Sequence, residues 1–278
     1  ATAVHSFTPG RSGLHPWAGR RRVGGSVDHD QHSGHEHSGH EHSGHDHSGH
    51  EHSGHEHSGH DHSGHGHGHG AQGAYVADFD LKAADWDDPG KVARARQVAD
   101  AIVAATSPGP TTRLFEYGAG TGLVTEALGD RVGPALLADT SAGMREVMAT
   151  KVADGRLAGA RITDVDLAGV SADLPDERFD LVVTVLTLHH VGELDRVLGR
   201  FAQLLDPGGH LCVVDLDAED GSFHGAGFAG HHGFDRQAFG ERLRTVGFDE
   251  VTVADCGDLV RDDGTFSMFL AVGTPAVE

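Results

Sequence analysis

The residues best suited to hold a ligand lie at positions 114–122, where an apolar run ends in an acid and three spaced glycines. The run reads Leu-Phe-Glu116-Tyr-Gly118-Ala-Gly120-Thr-Gly122. Glycines at these spacings let the backbone turn tightly and approach a ligand closely, because no Cβ stands in the way. The helix expected at 121–128 would point its free N–H groups at that ligand. The segment therefore predicts a binding loop at the end of a strand.

A second apolar run, residues 134–138, ends in Asp139, seventeen residues after Gly122. An acid at this place in a doubly wound fold binds the hydroxyl pair of a ribose. A dinucleotide site would use G-x-G-x-x-G to seat a pyrophosphate, whereas this loop reads G-x-G-x-G and follows Glu116, which is poorly suited to face a phosphate. S-adenosylmethionine has a ribose and a cationic amino acid but no phosphate, so it fits the pattern better than NAD.

Four segments resemble motifs of the class I S-adenosylmethionine-dependent methyltransferases, in the same order along the chain. They are residues 116–122, 137–144, 179–190 and 204–211. Residues 215–224 and 231–234 are also similar to segments of a subgroup of small bacterial methyltransferases whose substrates are mostly uncharacterised. The resemblance implies transfer of a methyl group from S-adenosylmethionine and leaves the acceptor open.

The same resemblance implies which residues hold the cofactor. They are Glu116, Gly118, Ala119, Gly120, Gly122, Asp139, Thr140, Met144, Asp166, Leu167 and Leu186. Glu116 would lie near the ammonium group, Asp139 would accept from the ribose hydroxyls, and Met144 would pack against the adenine. Asp166 would accept from the adenine amino group beside the backbone N–H of Leu167, and Asp164 is the competing residue. The alternatives are a strand-end cap for Asp139 and core packing for Met144.

His189 and His190 follow the fourth predicted strand, where the family's motif faces the transferring methyl group. A histidine near pH 7 could remove a proton from the acceptor during the transfer, so both are candidate catalytic residues. Alternatively, His189 packs on the cofactor and His190 caps the next helix, with no proton transfer. Trp86 precedes the first helix and could form a wall of the pocket, because the N-terminal segment of similar proteins folds over the cofactor.

Carboxylates and imidazoles are concentrated after the fifth predicted strand, where these enzymes build substrate pockets. The residues are Asp215, Asp217, Glu219, Asp220, His224, His231 and His232. Such a mixture could bind a metal, as in methyltransferases that chelate a catechol. The spacing matches no metal site that we can identify, and solvated loop residues are the alternative.

We predict a disordered tail at residues 1–73 and a methyltransferase domain at 74–278. From 32 to 65 the chain repeats His-Ser-Gly-His-Glu/Asp, with almost nothing apolar to bury against its ordering entropy. Neutral imidazoles beside carboxylates are ligands for nickel, zinc or copper. The first predicted ligands are His32, His35, His37, His40, His42, His45, His47 and His50. A pH-responsive tail and a repeat without function are the alternatives, and metal handling could instead be the protein's main role.

Charge and composition indicate which substrates and which cellular compartment suit the protein. The formal net charge of −21 argues against a nucleic-acid substrate, whose phosphates a binding surface must neutralise. No segment approaches the roughly 18 apolar residues of a membrane span, and residues 1–31 lack the apolar stretch of a secretory signal. The two cysteines fit a reducing compartment. We therefore expect a cytoplasmic enzyme with a small-molecule methyl acceptor, and methylation of a protein or tRNA is the alternative.

Strand and helix patterns alternate from residue 91 onward, which predicts an α/β fold with helices on both faces of a parallel sheet. Strands are expected at 113–117, 135–138, 160–163, 180–186, 210–216, 250–255 and 267–272. Helices are expected at 91–106, 121–128, 141–153, 193–205 and 235–246. The last two strands are joined by residues 256–266 without a helical period, which favours an antiparallel hairpin. Together with the resemblance, this predicts a doubly wound, seven-stranded Rossmann-like sheet with an antiparallel last strand.

Overall fold

The computed structural model of the protein describes residues 69–276, with side chains from residue 76 onward. Seven strands form one sheet: β1 (Leu114–Tyr117), β2 (Ala135–Ala138), β3 (Arg161–Thr163), β4 (Phe179–Val185), β5 (Leu205–Leu216), β6 (Phe248–Arg261) and β7 (Gly264–Pro275). Their order is β3-β2-β1-β4-β5-β7-β6. Strand β7 runs antiparallel to β5 and β6, and the pairs among β1 to β5 are parallel. The predicted doubly wound sheet with a reversed last strand is confirmed.

Helices cover both faces of this sheet. In the described part of the chain they are α1 (His69–Lys82), α2 (Pro89–Thr106), α3 (Leu123–Leu128), α4 (Ala142–Ala153), α5 (Leu194–Leu204) and α6 (Arg236–Thr245). Helices α2, α3 and α4 pack on one face through residues such as Ile102, Leu128 and Met148. Helices α5 and α6 pack on the other through Phe201 and Leu243. None of these helices combines the length and apolar character needed to cross a membrane.

Local sequence signals explain where these helices begin and which face they bury. Helix α2 starts two residues before the predicted position, because the Asp88 side chain accepts from the Lys91 N–H (2.9 Å) and Pro89 occupies the first turn. In α5 the large apolar residues recur at helical spacing on one face, and these five are buried: Leu194, Val197, Leu198, Phe201 and Leu204. Burying each such side chain contributes about 1.5–3 kcal/mol.

The C-terminal hairpin is longer than the sequence pattern predicts. Strands β6 and β7 are joined only by Asp262 and Asp263, so the expected eleven-residue connection is wrong. The register of the pair shifts between Asp255 and Asp258, where Gly257 has a φ of +81° and donates its N–H to Asp255. An extra residue at such a bulge breaks the period-two alternation by which a strand is recognised.

The predicted tail falls almost entirely outside the described residues, as do all the tail histidines predicted to bind metal. Helix α1 begins at His69, so the predicted boundary between residues 73 and 74 lies inside this helix. The helix packs against α4.

Candidate cofactor-binding site

The glycine loop lies at the carboxyl end of β1, beside the point where the strand order reverses. Gly118, Gly120 and Gly122 have φ values of +67°, +56° and +78°, which L side chains rarely adopt. A Cβ on Gly118 would lie 2.3 Å from Cγ2 of Thr187, so that glycine is required by packing as well as by conformation. The nearest atom to a Cβ on Gly120 would be Nε1 of Trp86 at 3.8 Å, across a cavity that both residues line. The loop therefore leaves space for a ligand against its backbone.

Glu116, the second-to-last residue of β1, lines the same cavity, although only 2% of the residue is exposed. Its Oε2 accepts from the N–H of Thr125 at 3.2 Å and from the Thr125 hydroxyl. Burial nevertheless raises the pKa of Glu116 to about 7, against the opposing effect of these hydrogen bonds. A positively charged ligand group beside this carboxyl would lower that pKa and stabilise the ionised form.

Asp139 stands at the end of β2 and faces the glycine loop. Its Oδ2 accepts from the N–H of Gly120 at 2.7 Å, and its Oδ1 accepts from the N–H of Ser141 at 2.9 Å. Burial raises its pKa, while these two hydrogen bonds act in the opposite direction. Each carboxylate oxygen has a second lone pair, so the side chain can support the loop and still accept from two hydroxyl groups.

Asp166 lines the cavity as well, whereas Asp164, the competing candidate, is exposed and lines a different surface depression. The Oδ1 atom of Asp166 accepts from the N–H of Ala168 at 2.8 Å and from the Tyr117 hydroxyl at 3.3 Å. Burial, with the carboxylate of Asp166 beside the ring, raises the pKa of Tyr117 beyond its usual range. Tyr117 therefore stays protonated and holds Asp166 at the cavity edge.

Most of the remaining predicted cofactor residues meet in the same cavity. Ala119, Thr140, Met144 and Leu186 line it, and Met144 is buried. Leu186 has a φ of +52°, a strained value for a branched residue, and its N–H donates to the carbonyl of Val214 at 2.8 Å. Gly122 and Leu167 do not line the cavity: Gly122 packs against Leu157, and the Leu167 side chain lies in the core under α5.

The outer wall of the cavity comes from α1 and the residues that follow it. Val76, Phe79 and Trp86 line it, so the predicted position of Trp86 agrees with the structure. The Phe79 ring meets Trp86 edge-on with centroids 5.6 Å apart. Asp80 fastens α1 to the start of α4, because its Oδ1 accepts from the Ser141 hydroxyl at 2.5 Å and from the Gly143 N–H at 2.9 Å. Sequence reasoning missed this contact, which joins residues more than sixty positions apart.

Arg94 on α2 is a second residue that the motifs did not indicate. It is half-buried and lines the cavity, and burial lowers its pKa from 12.5 despite the attraction of Asp88. A guanidinium that is partly withdrawn from water is a strong donor for a carboxylate. The cavity therefore presents both a cation and several carboxylates to its contents.

The structure separates the two candidate catalytic histidines. His190 lines the cavity, and burial together with the neighbouring His189 and His224 lowers its pKa to about 3. His189 does not line the cavity: its Nδ1 meets Oδ1 of Asp215 at 2.6 Å, and both side chains are buried. Of the two, His190 is the one that could touch a reacting group, and it is neutral at pH 7.

The carboxylates predicted as one cluster after β5 are engaged separately. Asp217 forms a bidentate pair with Arg236, with both N–O distances at 2.7 Å. Glu219 accepts from two loop N–H groups and lies 3.2 Å from Nδ1 of His232. Asp220 accepts from the N–H of Ser222. These three carboxylates stabilise the loop and its junction with α6.

The sheet order, the glycine loop and the acid at the end of β2 are those of the Rossmann-like methyltransferase fold. Residues 115–213 match the family model described as a methyltransferase domain. This match contains the glycine loop, Asp139, Asp166 and both candidate catalytic histidines. Residues 115–213 are therefore similar to methyltransferase domains, and they lie within a sheet that has the Rossmann-like methyltransferase fold.

Curated relatives match this chain over less than two thirds of their own length. An uncharacterized methyltransferase of Mycobacterium tuberculosis is 32% identical over 115 residues, which cover 41% of this chain and 56% of the relative. A biotin biosynthesis bifunctional protein of Bordetella avium is 34% identical over 128 residues, covering 45% of this chain and 26% of the relative. A highly reducing polyketide synthase of Aspergillus niger is 28% identical, and the match spans 50% of this chain and 6% of the synthase.

Solved structures share the fold at low sequence identity. A chain in the complex of the Haloferax volcanii Trm112 methyltransferase activator with a methyltransferase has a TM-score of 0.59 and 19% identity, covering 72% of this chain and 98% of its own. The S-adenosylhomocysteine complex of DhpI has a TM-score of 0.58 and 20% identity, and the match covers 76% of this chain and 100% of the DhpI chain. The N-methyltransferase NodS of Bradyrhizobium japonicum, also with S-adenosylhomocysteine, has a TM-score of 0.53 and 18% identity, covering 74% and 98%.

Proposed function

We propose that the protein transfers a methyl group from S-adenosylmethionine to a small-molecule acceptor by in-line displacement, with S-adenosylhomocysteine as the product. The observation that carries this proposal is the convergence of Glu116, Asp139 and Asp166 on one cavity beside the glycine loop. These groups match a ligand that has an ammonium group, ribose hydroxyls and an adenine amino group, all of them donors. S-adenosylmethionine, when bound, supplies a methyl group on a sulfonium that is already electrophilic.

Each residue has a task in this arrangement. Glu116 would ionise beside the ammonium group, which offsets the burial that raises its pKa. Asp139 would accept from the ribose hydroxyls through the lone pairs that Gly120 and Ser141 do not use. Arg94 is suited to the carboxylate at the same end of the ligand as the ammonium group.

The adenine end of the ligand has its own set of residues. Asp166, positioned by Tyr117, would accept from the adenine amino group. Met144 is buried at the cavity wall, where its thioether would pack against the adenine ring.

The chain contributes to the transfer chiefly by alignment and by excluding water. Phe79 and Trp86 cover the cavity, and His190 lies where it can contact an acceptor. With a pKa of about 3, His190 is a weak base at neutral pH, so it is better suited to accept a hydrogen bond from the acceptor than to remove its proton.

The cavity and the charge of the chain support a small acceptor. The cavity is bounded by α1, Trp86 and the glycine loop, and a net charge of −21 repels nucleic-acid phosphates. A protein acceptor or partner is the second candidate, favoured by the structural neighbour in complex with a methyltransferase activator. A screen with phenols, amines and thiols would distinguish these classes, using S-adenosylhomocysteine release as the signal.

Calorimetric titration of the metal-free chain with S-adenosylmethionine tests the cofactor site. We expect wild type to bind and Asp139→Ala to bind at least about a hundredfold more weakly, because two hydrogen bonds to a charged acceptor are lost. Asp164→Ala is the matched control, since it removes an exposed acid outside the cavity and should leave the affinity unchanged. Absence of binding to the folded wild type, or equal affinities in all three proteins, would contradict the proposed function.

A further inference from the structure

Three histidines from two separate segments meet beside the cofactor cavity. His189 and His190 belong to the short turn after β4, and His224 belongs to the loop after β5. The ring centroids are 4.2 Å apart for His189 and His190, 5.1 Å for His189 and His224, and 5.0 Å for His190 and His224. One ring nitrogen from each of the three lies within 4.8 Å of the others.

The orientation of the His189 side chain is fixed by Asp215. Its Nδ1 lies 2.6 Å from Oδ1 of Asp215, and its backbone N–H also faces that carboxylate, with N 3.3 Å from Oδ2. Both side chains are buried, at 2% and 0% exposure. A carboxylate that accepts from Nδ1–H makes Nε2 the atom with a free lone pair, which is the arrangement that orients metal-bound histidines in proteins.

His224 is held in place by a neighbouring ring and has an unsatisfied nitrogen. Its imidazole stacks on Phe228 with centroids 3.8 Å apart and planes inclined by 14°. Its Nε2 is buried and has no hydrogen-bond partner within the described residues. Buried polar atoms of side chains almost always have a partner, so this nitrogen calls for a ligand or an ordered water.

We propose that His189, His190 and His224 form a three-histidine site for a zinc ion. Zinc binds imidazole nitrogens at about 2.0–2.1 Å in tetrahedral geometry, which places pairs of ligand nitrogens about 3.3 Å apart. Starting within 4.8 Å, each pair has to close by at most about 1.5 Å, which ring rotation can provide. Three protein ligands leave the fourth position open, as in catalytic zinc sites.

This site goes beyond the proposed function, because no step of it requires a metal. Since His190 also lines the cofactor cavity, the ion would lie at the cavity's edge and, when bound, would take the lone pair that the metal-free His190 offers to an acceptor. There it could bind an oxygen, nitrogen or sulfur atom of an acceptor and lower the pKa of that group. The site is distinct from the predicted tail ligands, none of which lies in the described part of the chain.

Cobalt(II) is the probe for this site, because four-coordinate cobalt absorbs visible light strongly and the six-coordinate ion absorbs weakly. Metal-free full-length protein is titrated with cobalt, in the absence of S-adenosylmethionine, so that the result does not depend on the proposed function. We expect wild type to develop a four-coordinate spectrum that saturates at the intensity of one such ion per chain, whatever the total cobalt bound, and to lose it when zinc is added. His224→Ala should not develop it.

His232→Ala is the matched control, since it removes a more exposed histidine of the same loop that lies outside the cluster. It should keep the wild-type spectrum, whereas Asp215→Asn should weaken cobalt binding by about 10–100-fold by releasing His189. Should His224→Ala fail to fold, His224→Gln and His190→Gln make the same comparison, with circular dichroism as the check on folding. A wild type without the four-coordinate spectrum, or folded ligand variants that retain it, would overturn the proposal.

Discussion

The carboxyl group of Glu116 is buried at the end of β1, and its charge opposes folding. Burial raises its pKa from 4.5 to about 7, despite the hydrogen bonds from Thr125 and the attraction of Lys151. At about 1.4 kcal/mol per pKa unit, the ionised form costs about 3 kcal/mol. The folded state holds this proton more tightly than the unfolded chain does. The cost is therefore absent below about pH 4.5, grows as the pH rises toward 7, and is complete above that.

Glu116→Gln removes this titration and keeps an oxygen that can accept from Thr125. We expect the variant to be more stable than wild type by about 3 kcal/mol at pH 8, and by less than about 1 kcal/mol at pH 5. Urea denaturation at both pH values measures the free energies of unfolding, and the difference between the two proteins cancels the titration of the many histidines. A variant that is equally or less stable at pH 8 would refute this account of Glu116.

The same variant separates stability from binding. If Glu116 ionises beside the ammonium group of S-adenosylmethionine, Glu116→Gln should weaken that binding at pH 8 while it raises the free energy of unfolding. Titration calorimetry on the same sample measures the affinity. Unchanged affinity in a more stable variant would leave Glu116 with a structural role only.

Further predictions concern the loop, a buried ion pair and the cysteines. Gly118→Ala should lower the free energy of unfolding in urea by at least about 2 kcal/mol, because the residue has a positive φ and its Cβ would collide with Thr187. Lys151→Met should cost about 2–4 kcal/mol, because the ammonium is buried between Asp87 (2.6 Å) and Glu126 (3.0 Å). Arg156 pairs with the same Glu126 but is half-exposed, so Arg156→Met should lower the free energy of unfolding by less than about 1 kcal/mol. Burial raises the pKa of the Cys212 thiol to about 12 and also raises the pKa of Cys256. Neither thiol should therefore react with a thiol reagent at pH 8 until urea is added. Rapid labelling of the folded protein would contradict this prediction.

The features that the sequence predicted well are those encoded within short segments. The glycine loop, Asp139 and the strand alternation each depend on neighbouring residues with a fixed spacing, and the reversed hairpin follows from a short connection. The register of that hairpin was not predicted, because its bulges interrupt the alternation of side chains. Asp166 was preferred to Asp164 by spacing, and the cavity contains Asp166.

Contacts between distant segments could not be predicted in this way. Asp80 reaches Ser141 across 61 positions, and His189 reaches Asp215 across 26, without a shared local pattern. No motif indicated Arg94, because its approach to the cavity depends on how α2 packs on the sheet. His224 was placed among loop acids by sequence, whereas the fold brings it to a histidine pair from the preceding strand connection.

The position of α1 bears on how a product would leave in the proposed reaction. Val76 and Phe79 of this helix form the outer wall of the cavity, and Asp80 fastens the helix to α4 through an exposed carboxylate. Any outward movement of the helix that widens the cavity for a ligand to leave has to break the hydrogen bonds of Asp80. The residence time of the product would then depend on the surface residue Asp80, which lies far in sequence from the glycine loop that contacts the ligand.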